Sequence, residues 1–222
     1  MEKKASTPAR RRPPRKTYHH GDLREALLQA AERVINRDGL ERFTLRACAR
    51  EAGVSHAAPA HHFQDMAGLT STLATRAFEK LSGLMDRYAM EAAPEPRAML
   101  PAMGVAYIDF ALRHPGLYRL MFRVEALDAE NPVLKKAANE CHDRLARAVA
   151  AALQEGSQPA PEARVREVAA LAWSVVHGFA SLALDGHFEA DCPAHPGSGT
   201  TLLDYAGRVL LHLQPLFVST GR

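Results

Sequence analysis

Residues 43–63 read FTLRACAREAGVSHAAPAHHF, the most informative constellation in the chain. Thr44 is placed as a helix N-cap, its side chain accepting from the free amides of a first turn. Phe43 before it and Cys48 four positions beyond it are spaced to pack as a hydrophobic staple. The helix so begun is short and ends near Ala52, because Gly53 takes the left-handed cap conformation without Cβ strain. Ser55 is then placed to cap a third short helix running to about His62. Two short helices hinged at Gly53 and Val54, with Ala49 small enough for close approach, make a helix-turn-helix.

Toward the N-terminus, Asp22 followed by Glu25 predicts a capping box opening a first helix. Leu23, Leu27, Ala30 and Val34 line one of its faces and Gly39 stops it. Residues 1–17, with Pro8, Pro13 and Pro14 among basic and small polar residues, bury too little apolar surface to fold alone and are expected to be a flexible arm. Within residues 1–20, Lys3, Lys4, Arg10, Arg11, Arg12, Arg15 and Lys16 oppose only Glu2, a charge of +6, whereas the whole 222-residue chain carries +3. A basic tail beside a near-neutral globule points to nucleic acid or a membrane surface.

Toward the C-terminus, Leu69, Leu73, Ala77, Leu81, Leu84 and Tyr88 follow Met66 at helical spacing, and Pro94 and Pro96 end that long helix. Further helices are expected at 98–113, 115–123, 131–155, 161–186 and 201–218. They are separated by His114-Pro115-Gly116, Asn131-Pro132, the segment from Gln158 to Pro161 and a Pro/Gly-rich loop from Asp191 to Gly199. Alternating β-branched runs and hairpin turns are scarce. The fold class is therefore all-α, of about nine helices: a three-helix head over 18–65 and a longer helical part over 66–222.

Cys48, Cys141 and Cys192 are odd in number and unpatterned, which excludes a disulfide framework and suits a reducing cytoplasm. No apolar stretch follows the basic N-terminal residues, so no signal peptide is read there. The run from Val168 to Leu184 is broken by Ser174, His177, Gly178 and Ser181 and falls short of spanning length. A buried helix is expected, and no membrane.

The segments Tyr18-His-His-Gly-Asp-Leu-Arg24, Phe43-Thr-Leu-Arg46 and Ala52-Gly-Val-Ser-His-Ala-Ala-Pro59, together with His62-Phe63, resemble the DNA-binding domain of the TetR family over about residues 18–75. Trp173-Ser-Val-Val-His177-Gly178 resembles the Trp-His-Gly (WHG) ligand-domain subgroup of that family. The resemblance implies a homodimeric transcriptional regulator, a repressor on a pseudo-palindromic double-stranded operator, with its third helix in the major groove. By position, Ser55, His56, Ala57 and His61 would meet bases or nearby sugars, and Thr44, Arg46 and His62 phosphates, which fix register rather than sequence. Ala60 and Met66 stand where the family commonly has Tyr and Lys, both backbone-binding. The stretch from Arg10 to Lys16 is expected to compensate by tracking phosphates or entering the minor groove. Pro59 lies inside the expected recognition helix, where it removes an amide donor unless the helix starts late.

Met85, Tyr88, Met103, Tyr107, Phe110, Tyr118, Met121, Phe122, Trp173 and His177 recur across the middle helices. They read either as plain core or as the wall of an apolar cavity with a few oriented polar groups. No charged anchor stands among them, so the expected effector is small and mostly apolar or aromatic. Ser174, His177 and Ser181 share a helix face, but no strained nucleophile turn accompanies them, and no enzyme is expected. His61 and His62 point in different directions as helix neighbours, and His187, Asp191, Cys192 and His195 fit no zinc spacing. Neither metal nor cofactor is expected. Val168 to Leu184 is apolar almost all round, and Leu202, Leu203, Ala206, Val209, Leu210, Leu213 and Phe217 stripe the last helix. Pairing these two helices with their copies would bury both in a four-helix interface. A sequence-tolerant architectural DNA binder without an effector is the first rival to a ligand-sensing regulator, a helical enzyme using Ser174 and His177 the second, and an operator-independent protein-binding module the third.

Overall fold

The computed structural model of the chain describes residues 20–92, 96–154, 158–188 and 201–212. Among these are nine α-helices and one short 3-10 turn: α1 (His20–Asp38), α2 (Leu45–Glu51), α3 (Ala58–Phe63), α4 (Met66–Glu91), α5 (Pro96–Arg113), α6 (Pro115–Met121), the turn Val124–Ala126, α7 (Pro132–Leu153), α8 (Glu162–Leu184) and α9 (Leu202–Leu211). Thr44 Oγ1 accepts from the Ala47 amide at 3.1 Å and so opens α2. Gly53, at φ +68°, makes the turn to α3.

Two expected caps differ. α1 starts at His20, ahead of Asp22, whose side chain lies outside the described residues; Glu25 accepts from Gln29 at 3.1 Å and pairs with Arg76 of α4. Ser55 does not cap α3 with its side chain; its carbonyl accepts from Ala58, and Ala57 holds the N-cap position without a side-chain bond. Pro59 therefore falls in the first turn, where amides have no intrahelical acceptor and the ring costs nothing. Downstream, Asn131 Oδ1 accepts from Val133 and Leu134 at 3.0 and 3.1 Å to open α7, and Thr201 with Asp204 forms a capping box on α9. α6 stops at Met121 rather than 123, and the turn at Val124–Ala126 had no sequence signal. The expected extension of the last helix to 218, with Leu213 and Phe217, lies outside the described residues.

One hydrophobic core runs through head and body without a break, from Leu27, Val34, Phe43 and Phe63 to Leu81, Phe110, Leu117 and Leu210. A smaller core of Leu100, Val149, Leu153 and Val168 joins α5, α7 and α8. The head is tied internally by Glu51, which accepts from Arg33 at 3.0 Å and Arg37 at 2.9 Å. It is tied to the body by Arg76–Glu25, by Lys80–Glu32, and by Gly116, whose amide donates to Asn36 Oδ1 at 3.1 Å.

α8 departs from the expectation of a buried helix. It is long and apolar enough to cross a bilayer, yet it packs one face on α5 and α7 through Val168, Ala169, Ala172, Phe179 and Ala180. The other face leaves Leu171 43% and Leu182 45% exposed. One apolar side of α8 thus has no partner within the described chain.

Candidate nucleic-acid interface and ligand cavity

Thr44, Arg46, Ser55, His56, Ala57 and His61 are all exposed, and His62 is half-buried with its ring tilted on Phe63. The sequence reading passed over Arg42 and Arg50, which are exposed on the same short segment. Arg50 lies one turn from Arg46 on α2, a spacing that the i, i+4 rule would have picked out. Ala60 is exposed and Met66 half-buried at the first position of α4.

The joint between α3 and α4 is unusually tight. Gln64 sits at φ +66°, ψ −66°, and the Asp65 amide donates to the Phe63 carbonyl at 2.8 Å, the strained form of a γ-turn. Asp65 then caps α4 by accepting from Gly68 at 2.9 Å. A Cβ at position 68 would lie 2.0 Å from the Phe63 carbonyl oxygen, so only glycine fits there. The third helix of the head is therefore fixed to the first turn of α4.

α4 leads from that joint to a cavity of about 290 Å3. Phe78, Leu81 and Met85 of α4 line it, with Leu100, Pro101, Met103, Gly104 and Tyr107 of α5. Ala138, Cys141, His142 and Leu145 of α7, Ala172, Trp173 and Val176 of α8, Phe122, and Leu210 of α9 complete the wall. Of the expected wall residues, the structure brings together Met85, Met103, Tyr107, Phe122 and Trp173. The α7 contribution was missed, although positions 138, 141, 142 and 145 fall at helical spacing. His142 and Trp173 are the exposed members of the wall, their ring centroids 6.5 Å apart, so the cavity meets solvent between α7 and α8.

The remaining candidates lie off the wall. Tyr88 donates its hydroxyl at 3.0 Å to Asp109, a carboxylate only 2% exposed that also accepts from Arg113 at 2.6 Å. Phe110 is buried against His114, and Met121 is core. Tyr118 and His177 stand behind the wall in a polar network. His177 Nδ1 lies 2.8 Å from the Tyr107 hydroxyl and 3.0 Å from that of Tyr118, and the Tyr118 hydroxyl is also 3.1 Å from Ser181 Oγ. The Tyr118 hydroxyl also donates to the His177 backbone carbonyl at 3.2 Å. Burial pushes the His177 pKa below its ordinary value, so the ring is neutral at pH 7. Burial, and after it the neighbouring Tyr118 phenol, likewise raise the Tyr107 phenol above its ordinary value.

Ser174 donates to the Ala170 carbonyl at 2.8 Å and takes no part in the network, so Ser174 and His177 form no pair. His187 is exposed, and Asp191, Cys192 and His195 lie outside the described residues. Among the described residues, no three His, Cys, Asp or Glu side chains are grouped to hold a metal ion.

Comparison with known proteins agrees with this division of labour. Residues 27–72 match the family model for bacterial regulatory proteins of the tetR family, and residues 100–204 match the tetracyclin repressor-like C-terminal domain. No curated protein matches the chain. Among solved structures, a protein of unknown function from Rhodococcus sp. RHA1 is 32% identical, with a TM-score of 0.71 over 91% of this chain and 97% of that one. The TetR family transcriptional regulator PfmR from Thermus thermophilus shares the fold at 14% identity, TM-score 0.57, over 85% and 96% of the two chains. The multidrug binding protein EbrR, solved in complex with imidazole, does so at 19% identity, TM-score 0.53, over 86% and 93%. With a helix-turn-helix head on a helical body, and both parts matched by the family's own models, the chain belongs to the TetR family of DNA-binding transcriptional regulators.

Proposed function

We propose that the chain is a homodimeric, cytoplasmic repressor that holds a pseudo-palindromic operator through α3 and is released when a small, mostly apolar ligand fills the cavity. The observation that carries this reading is the continuity of α4, which is locked to α3 at one end and lines the cavity with Phe78, Leu81 and Met85 further along. A ligand that prefers one setting of α4 biases the separation of two recognition helices, and operator affinity follows as a population shift. Thr44, Arg46 and His62 serve phosphates; Ser55, His56, Ala57 and His61 serve base edges or sugars. Residues 1–17 act as a basic arm, 18–65 as the DNA-binding head, and 66–222 as the sensing and dimerising body. EbrR, of the same fold, is a multidrug binding protein, which is in keeping with a ligand-binding body.

The unpartnered face of α8 supports dimerisation: Leu171 and Leu182 are exposed on it, and a Cβ added at Gly178 meets nothing within 4 Å in the protomer. A second copy of α8 and α9 would cover this surface, as four-helix interfaces do. The test is selection of bound sequences from a random duplex pool, followed by affinity measurement on the selected site with and without a ligand found by thermal shift. A palindrome and a ligand-weakened complex are expected. Equal affinity for random duplex would favour the architectural DNA-binder reading, and equal affinity with and without a bound ligand would refute release.

A further inference from the structure

The cavity has a size, a wall and a mouth that together narrow what enters it. Its 290 Å3 is roughly twice the ~150 Å3 of an apolar protein cavity that takes up one benzene ring. That leaves room for two fused rings. Phe78, Tyr107, Phe122 and Trp173 stand in an otherwise largely aliphatic wall, with Met85 and Met103, and such side chains add edge, offset-stacked and sulfur–ring contacts to simple burial.

Charge is excluded by the same wall. No Asp, Glu, Lys or Arg lines the cavity among the described residues, so a charged ligand would lose its water and gain no counter-ion. The Tyr107 hydroxyl is already engaged, lying 2.8 Å from His177 Nδ1. Burial raises the pKa of Cys141, which keeps it a neutral thiol. His142, exposed at the mouth, sets a polar ring beside water.

Resting on the effector-site reading above, we propose that the cavity takes a neutral two-ring aromatic molecule of naphthalene size. It enters between α7 and α8 past His142 and Trp173.

The full chain is titrated by calorimetry with three probes that share one ring system: naphthalene, 2-naphthoate and (2-naphthylmethyl)trimethylammonium. Naphthalene is expected to bind about tenfold more tightly than either ion, because the ions lose hydration without a partner. Equal or tighter binding of either ion overturns the ligand class; for the ammonium it would mean that the rings act as a cation cage. Two wall variants, Ala138→Phe and Leu145→Trp, are expected to weaken naphthalene binding about tenfold by filling the space it needs. Naphthalene is also expected to change the emission of Trp173, the chain's single tryptophan, a readout that does not depend on either variant folding. An ion that binds more tightly, and loses affinity in the wall variants, overturns the class and leaves the effector site standing. Naphthalene binding that is indifferent to both folded variants and silent at Trp173 removes the cavity as the effector site as well.

Discussion

His177 Nδ1 lies within hydrogen-bond distance of two phenolic hydroxyls, those of Tyr107 and Tyr118. Burial lowers its pKa, and burial with nearby Lys80 lowers that of His114. The folded state therefore binds fewer protons than the unfolded state as pH falls through the ordinary histidine range near 6.5. Stability is fully present above that range and lost progressively below it. Urea unfolding at pH 7.5 and 5.5 and one protein concentration should show the loss, and His177→Gln should make it smaller; an unchanged pH dependence in the variant would deny His177 this role. Gly68 is the second decisive residue. Gly68→Ala pushes a methyl into the Phe63 carbonyl and should cost about 1–3 kcal/mol by overpacking, read as a lower urea midpoint with weaker operator binding.

Among elements, α6 has two attachments whose consequences differ. Tyr118 joins it to the His177 network behind the cavity, while Gly116 sets it against α1, where a Cβ would lie 2.5 Å from the Ile35 carbonyl oxygen. Gly116→Val should force α6 off α1 and change operator affinity at least fivefold, with calorimetric binding of naphthalene held within twofold. Equal loss of both activities would mean general unfolding rather than separation of head from body. α8 contributes to the cavity with one face and offers Leu171 and Leu182 on another, so the proposed ligand and the proposed second subunit would meet on one helix.

For the assembled molecule, two changes of charge are decisive. Leu182→Glu places a carboxylate on the unpartnered α8 face, and sedimentation should then report a monomer with operator affinity reduced at least tenfold. A dimer of undiminished stability would place the interface elsewhere. Removing residues 1–16 deletes seven cations, and the slope of log affinity against log salt should flatten by about 0.9 for every phosphate the arm had neutralised. An unchanged slope would show that the arm does not touch the backbone.

The helix-turn-helix was legible because its information is local. Thr44, Gly53 and the stop at Gly39 act through caps and turns that span a few residues, and the all-α class follows from the 3.6-residue period. Ser55 misled because two polar or small residues lay within reach of the same helix start, and Pro59 settled the choice by fitting only a first turn. The cavity was half legible. Aromatic and Met composition marked Met103, Tyr107, Phe122 and Trp173, but composition cannot separate wall from core, and Phe110, Met121 and Tyr88 carry the same signature. Helix spacing says which residues share a face; it does not say which faces meet, because packing of five helices sets where their surfaces fail to close. Short-range backbone chemistry, written residue by residue along the chain, was enough to specify the helices, the three-helix head and the basic charge ahead of it. Long-range packing alone established that α4 joins α3 to the cavity, that His177 belongs to the network rather than the wall, and that α8 keeps one apolar face unburied.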